Sequence, residues 1–287
     1  HQSESPSEHI PLFATTDWRV TLYPKDGVDV ELHMRHADQA MYVAKQAVKN
    51  RYHLFETAQD NAIKIQREDI ANICLALDRR EFVLHYQPKV NMSTGEVIGV
   101  EALIRWQHPE RGIIPPLDFL PAIEGHAISL ELGEWVIHTA LSQISQWQRL
   151  GLNLPISVNI SAYQLTQKNF PDRLSILLAA HPLVSPHRLE LEILETSALS
   201  DINQVSGIMT TCQDMGVSFA LDDFGTGYSS LTYLKHLPAY YIKIDQSFVR
   251  DMLKDPDDLA IIEGVISLAK AFDREVIAEG VESVAHG

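Results

Sequence analysis

From residue 81 onward the chain alternates short apolar runs, each about as long as a strand, with longer stretches of helical periodicity. The runs are Phe82–Gln87, Val97–Arg105, Ile156–Ile160, Leu189–Leu194, Val217–Asp222, Tyr240–Asp245 and Glu275–Glu279. Leu130–Leu150 and Asp257–Phe272 are two of the helical stretches between them. Strands separated by helices are joined by crossovers, which makes them parallel and lays helices against the sheet. The pattern is that of an α/β fold. Seven such strands in roughly 200 residues suit a (β/α) barrel, and a doubly wound open sheet is the alternative.

Strands of a parallel sheet are buried on both faces and are expected to be almost wholly apolar. The polar residues in these runs therefore carry information. Glu101 and Arg105 lie in the second run and Asn159 near the end of the third. Glu192 lies in the fourth, with Glu195 just after it, and Asp222 and Asp223 end the fifth. Lys243 and Asp245 lie in the sixth, and Glu279 ends the seventh. Each has a bland explanation alone. Glu101 could pair with Arg105, which shares its face of the strand. Lys243 could snorkel to solvent. Asp222-Asp223-Phe224-Gly225-Thr226-Gly227 could be a strand running into a solvated turn. Together, however, they put a charged or amide group on each successive strand, mostly at its carboxyl end. Left unpaired inside a barrel, such groups are costly. Converging on the carboxyl-terminal face, where barrels carry their chemistry, they form a site.

The donor types narrow the chemistry. Carboxylates and one amide oxygen suit hard cations such as Mg²⁺ or Mn²⁺, and no His or Cys falls on these strand ends to favour zinc. Adjacent carboxylates at one strand end are what a two-metal phosphodiester hydrolase uses to hold its ions about 3.5–4 Å apart. The overall charge fits a small anionic substrate better than a polymer. With 23 Lys+Arg against 38 Asp+Glu, the net charge is −15, and such a field does not attract nucleic acid. Cys74 and Cys212 have no metal-ligand spacing and read as core thiols, which suits a reducing compartment such as the cytoplasm. No apolar run reaches the roughly 18 residues of a membrane span, and no signal peptide opens the chain. It begins with His1, so a longer parent protein is expected, with room for an upstream sensor or membrane region.

Before residue 81 the signals are local. Residues 1–17 are polar and irregular. Tyr23-Pro24, Arg35-His36-Ala37-Asp38-Gln39-Ala40-Met41-Tyr42, Ala44-Lys45 and Asn50-Arg51-Tyr52 resemble the carboxyl-terminal end of a GGDEF (diguanylate cyclase) domain. The match covers only about residues 20–56 and lacks the Gly-Gly-Asp-Glu-Phe loop, so residues 1–57 are read as a remnant that makes no cyclic di-GMP. Asp60 to Arg80 has amphipathic periodicity, with Ile63, Ile70, Ile73, Leu75 and Leu77 apolar. Residues 58–80 are thus a linker helix, able to join two domains, to pair with its own copy or to pack on the domain that begins at residue 81.

Residues 81–287 resemble an EAL domain, the cyclic di-GMP phosphodiesterase family. The resemblance rests on Tyr86-Gln87-Pro88, Glu101-Ala102-Leu103-Ile104-Arg105-Trp106, Asn159-Ile160-Ser161, Glu190 to Thr196, Asp222 to Ser230, Lys243-Ile244-Asp245 and Ala278-Glu279-Gly280-Val281-Glu282, in that order. It implies a modified TIM barrel that cleaves cyclic di-GMP to linear pGpG. It also implies that Glu101, Asn159, Glu192, Asp222, Asp223 and Glu279 hold two Mg²⁺ or Mn²⁺ ions, with Asp222 bridging. Lys243 would orient or activate the attacking water, with Glu279 as a second catalytic residue. Gln87, Leu103 and Arg105 would contact the substrate, Arg105 at a phosphate oxygen, and Glu195 would anchor the loop after Asp223. Ca²⁺ is expected to inhibit, and a homodimer is expected. The family's eighth strand, which carries a glutamine near the metals, and its closing helix have no counterpart in these 287 residues. Glu124-Gly125-His126 also departs from the family's Glu-Glu-Thr-Gly run. The alternative function is a catalytically silent receptor that signals by binding cyclic di-GMP; the filled ligand positions favour the enzyme.

Overall fold

The computed structural model describes residues 18–20, 52–54, 57–195, 201–226 and 231–286. The chain divides into two compact units, His1–Asp69 and Ile70–Gly287. In the first, β1 (Trp18–Val20) and β2 (Tyr52–Leu54) pair in parallel. Most residues that resemble a GGDEF domain, from Tyr23 to Arg51, lie outside the described residues.

Helix α1 (Thr57–Asp78) crosses the boundary between the units. Ile70, Ile73, Cys74 and Leu77 recur at helical spacing, so one stripe of its second half is apolar. That stripe belongs to the larger unit. Ile73 and Ala76 are buried with Phe82, Trp106, Ile114, Phe119 and Ile123, and Ile70, Cys74 and Leu77 pack against the same cluster. The boundary drawn by packing falls inside the helix, where the exposed residues 64–69 give way to the stripe that begins at Ile70.

The larger unit is a mixed α/β assembly around one sheet. Its strands are β3 (Phe82–Val90), β4 (Val97–His108), β5 (Gly112–Ile114), β6 (Ile156–Asn159), β7 (Leu189–Leu194), β8 (Ser218–Phe224), β9 (Tyr241–Ile244) and β10 (Glu275–Ala278). Along the sheet the order is β10-β9-β8-β7-β6-β4-β3, with β5 on β4. Helix α2 (Ala127–Arg149) precedes β6. Then α3 (Ala162–Leu165) and α4 (Phe170–Ala179) precede β7, and α5 (Ile202–Asp214) precedes β8. Helix α6 (Leu231–His236) leads to β9, and α7 (Gln246–Asp251) with α8 (Pro256–Ala271) leads to β10. All seven expected strands are present, with ends shifted by up to three residues.

One pairing departs from the sequence reading. β3 and β4 are antiparallel, while the path from β4 to β10 is parallel throughout. No helix separates this first pair. Asn91 Oδ1 accepts from Ser93 N at 2.9 Å and Thr94 N at 3.1 Å, and Gly95 takes φ 73°. A turn this tight can only join antiparallel neighbours.

Strand periodicity sorts the side chains. Val100, Ala102, Ile156, Val158, Leu189, Leu191, Ile193, Phe219, Leu221, Ile242 and Ile244 are buried in one core with Ala140, Leu141 and Ile144 of α2. Each large aliphatic among them contributes about 1.5–3 kcal/mol by leaving water. The intervening residues, Glu101, Ser157, Asn159, Glu190, Glu192, Ala220, Asp222 and Lys243, point to the opposite, concave face. The sheet curls strongly about that face. β9 and β4 are four strand steps apart, about 19 Å if the sheet were flat, yet Lys243 Nζ is 3.3 Å from Glu101 Oε2. Cys212 is buried and Cys74 half-buried, both as free thiols; burial pushes Cys212 up to about 12.

Candidate metal and active site

Lys243, in the middle of β9, is fully buried in the concave face. Its Nζ lies 2.6 Å from Glu192 Oε2, 2.8 Å from Glu279 Oε1, 3.0 Å from Asp222 Oδ1 and 3.3 Å from Glu101 Oε2. Four strands thus deliver four carboxylates to one ammonium. Asn159 joins them from β6, its Nδ2 donating to Glu101 Oε1 at 2.8 Å, which leaves its carbonyl oxygen as a free acceptor. Glu101 therefore pairs with Lys243 and Asn159, not with Arg105.

The adjacent aspartates pose a geometric problem that the structure solves. Consecutive residues of a regular strand point to opposite faces, so Asp222 and Asp223 could not both serve one site. The register between β8 and β9 shifts between Leu221 and Phe224. Asp223 adopts φ 54°, in the left-handed region, and its N–H donates to Asp222 Oδ1 at 3.0 Å. This bulge turns Asp223 back toward its neighbour. Asp222, Asp223 and Glu279 each then offer an oxygen within 4.8 Å of the others. Directly after them, Gly225 takes φ 103° and donates its N–H to Glu195 Oε2 at 3.3 Å. Thr226 Oγ1 donates to Asp223 O at 2.9 Å. Glu195 thus touches the turn it was expected to support; residues 227–230 lie outside the described residues.

The electrostatics are those of excess negative charge in a poorly solvated space. Burial pushes Glu279 up to about 7, against the pull of Lys243, and Asp222 and Glu101 add to the rise. Burial, Asp222 and Asp245 raise Asp223. Burial opposes the charge on Lys243, but Glu192, Glu101, Asp222 and Glu279 outweigh it and raise its pKa. Lys243 is therefore an ammonium at neutral pH. Glu192 Oε1 is buried and accepts no hydrogen bond from the described residues. A cluster of hard oxygen donors with more carboxylates than ammonium groups is chemically suited to divalent cations.

With this geometry in view, the comparisons are decisive. The sequence matches the EAL domain over residues 69–286. The chain belongs to the EAL domain family. It is 41% identical over 267 residues to the bifunctional diguanylate cyclase/cyclic di-GMP phosphodiesterase MucR of Pseudomonas aeruginosa, covering 93% of this chain and 39% of MucR. It is 36% identical over 275 residues to the cyclic di-GMP phosphodiesterase PdeR of Escherichia coli, covering 96% of this chain and 41% of PdeR. The chain thus spans about two fifths of the length of these curated relatives. Among solved structures, the PaMucR phosphodiesterase in complex with c-di-GMP superposes with a TM-score of 0.73 at 41% identity, covering 76% of this chain and 89% of that one. The likeness extends to the TIM-barrel-like architecture of EAL domains.

The remaining expected residues of this EAL domain lie toward the mouth of the curl. Gln87 is exposed and sits opposite Glu101 in the β3–β4 register; Leu103 sits opposite His85 and Arg105 opposite Val83. Arg105 is half-buried, donates from Nη1 to Ile104 O at 2.8 Å, and makes no ion pair among the described residues. Three further groups were not assigned from sequence. Asp245 is near enough to Asp223 to raise its pKa and caps α7 by accepting from Ser247 N at 3.0 Å. Lys89 and Glu190 form an ion pair of 2.7 Å deeper in the concave face. Strand parity was the available signal for both, since Glu190 shares the face of Glu192, and Lys89 that of Gln87.

Proposed function

We propose that this EAL domain hydrolyses one phosphodiester bond of cyclic di-GMP to give linear pGpG, with two divalent cations, Mg²⁺ or Mn²⁺, held at the carboxylate crown around Lys243. The observation that carries the reading is the crown itself, in which Glu101, Glu192, Asp222 and Glu279 lie within 3.3 Å of one buried ammonium. Asn159 and Asp223 complete it. The names of MucR and PdeR support the substrate, as does the c-di-GMP complex of PaMucR.

Glu101, Asn159, Glu192, Asp222, Asp223 and Glu279 would hold the cations. Bound there, the cations would acidify a water and neutralise charge developing on the phosphate. The chain's own groups do the rest. Lys243, an ammonium in the metal-free site, would orient or activate the attacking water. Glu279, whose pKa burial pushes up to about 7 in the metal-free site, would give up its proton when the cations bind. Arg105, without a carboxylate partner among the described residues, is available for a phosphate oxygen, where a charged planar fork is well suited. Gln87 and Leu103 line the same face and would contact the nucleotide. Glu195 holds the Gly225 turn and with it the backbone of Asp223.

No described helix is long and apolar enough to cross a membrane. We place the activity in the cytoplasm and in a homodimer, as the resemblance implies. The test is chromatographic: cyclic di-GMP should be converted to pGpG with Mg²⁺ or Mn²⁺ and persist with Ca²⁺, whose looser coordination suits binding better than turnover. Equal turnover with Ca²⁺ would refute the metal assignment.

A further inference from the structure

Below the crown lies a second buried charged layer that the reaction described above does not use. Lys89 comes from β3, which runs antiparallel to its neighbour and so carries this residue deeper than Gln87. Opposite it in the register is Gly99, where an added Cβ would lie 3.5 Å from Lys89 Cε and 3.2 Å from Pro155 Cγ. A Cβ at residue 99 would meet the lysine stem at ordinary contact and crowd Pro155 instead, so the stem leans freely into the concave face. There its Nζ meets Glu190 Oε1 at 2.7 Å and contacts Ser157 Oγ. Ser157 Oγ itself donates to Glu190 Oε1 at 2.6 Å. The Tyr241 ring centroid lies 5.8 Å from Nζ on a further side. All these groups are largely buried, so the ammonium has a fixed seat.

From that seat Lys89 Nζ faces Glu192 Oε1 at 3.5 Å. This is the oxygen that accepts no hydrogen bond from the described residues. The other oxygen of the same carboxylate, Oε2, meets Lys243 at 2.6 Å. Glu192 is thus held between two ammonium groups, one on each oxygen. Only Oε2 is turned toward Glu101, Asp222 and Glu279, which gather on the same Lys243.

We propose that Lys89 is a positioning residue: seated on the Glu190–Ser157 bracket, it fixes Glu192 Oε1 and so determines which oxygen Glu192 offers to the cations. The proposal rests on the reading of the crown as a metal centre. Groups that orient metal ligands from behind typically change metal affinity or activity about 10–100-fold when removed.

The test is a Mn²⁺ binding titration followed by electron paramagnetic resonance, without substrate, on wild type, Lys89→Met and the double variant Lys89→Met/Glu190→Gln. Steady-state kinetics with cyclic di-GMP and thermal melts accompany it. Lys89→Met should weaken Mn²⁺ binding by roughly 10–100-fold and lower kcat with little change in KM. The double variant removes the carboxylate that Lys89→Met would strand, so it keeps the experiment decisive if the single variant folds poorly. It should melt like wild type yet still bind Mn²⁺ weakly. Wild-type Mn²⁺ affinity in the folded double variant would overturn the proposal and leave Lys89 as a neutralising partner of Glu190. A wild-type protein that binds no Mn²⁺ is a different result, which overturns the metal-centre reading and the proposal with it.

Discussion

Asp223 should be a residue whose charge weakens the metal-free protein and whose loss disables the metal centre. Its carboxylate lies within 4.8 Å of those of Asp222 and Glu279, and Asp222 and Asp245 both raise its pKa. Two like charges 4.8 Å apart repel by about 3.5 kcal/mol at an effective dielectric of about 20. Asp223 is only partly buried, and solvent screening together with Lys243 reduces the net penalty to about 1 kcal/mol. Asp223→Asn removes the charge and keeps a side chain that tolerates the left-handed backbone at φ 54°. Asp223→Ala removes the charge but takes on strain of about 1 kcal/mol or more at that φ. In EDTA at pH 8, Asp223→Asn should melt about 2–4 °C above wild type. Asp223→Ala should melt near or below wild type. In both, the rise in melting temperature on adding Mn²⁺ should shrink and turnover should be lost. The assay is differential scanning fluorimetry with and without Mn²⁺, alongside pGpG formation. A full Mn²⁺ shift in Asp223→Asn would refute the placement of Asp223 in the metal centre.

The other expectations concern separate parts of the same crown. Glu279 has its pKa raised from 4.5 to about 7, so the folded metal-free protein binds this proton more tightly than the unfolded chain. That contribution is fully present below about 4.5 and is lost as pH rises through about 7. The Mn²⁺-induced shift in melting temperature should therefore be larger at pH 8 than at pH 5.5, and equal shifts would contradict it. Lys243→Met strands buried carboxylates and should cost about 3–5 kcal/mol in EDTA, with partial recovery in Mn²⁺ and no turnover; an unchanged melt in EDTA would refute the hub. Arg105→Ala should weaken cyclic di-GMP binding in Ca²⁺ about 10–100-fold, since a charge-assisted contact is worth about 1.5–3 kcal/mol. Wild-type affinity, measured calorimetrically, would move the phosphate site elsewhere. Glu195→Ala should lower kcat roughly ten-fold by releasing the Gly225 turn while leaving the melt close to wild type; unchanged kcat would remove Glu195 from the loop's support.

Much of this architecture is legible because strand periodicity and site chemistry coincide. Leu189 to Leu194 reads as a buried strand, and its two glutamates must then share the face opposite its aliphatic residues. The same parity selects Asn159, Asp222 and Lys243. The antiparallel start of the sheet was signalled by Asn91-Met92-Ser93-Thr94-Gly95, a turn too short for a crossover, but the rhythm of the later strands masked it. The bulge at Asp222-Asp223 is not legible, because ordinary alternation sends adjacent side chains apart and only the register shift and positive φ reunite them. Nor is the fourfold pairing of Lys243 legible, since sequence gives parity but not the curl that brings β9 to β4.

The central claim is that the crown around Lys243 is a two-cation hydrolytic centre. Its most direct test is turnover of cyclic di-GMP as a function of Mn²⁺ ions bound per chain, starting from metal-stripped protein. The account predicts no pGpG from stripped protein and turnover that rises as the second ion binds. Full turnover without bound metal would contradict it, as would tight binding of both ions and of cyclic di-GMP with the nucleotide recovered intact.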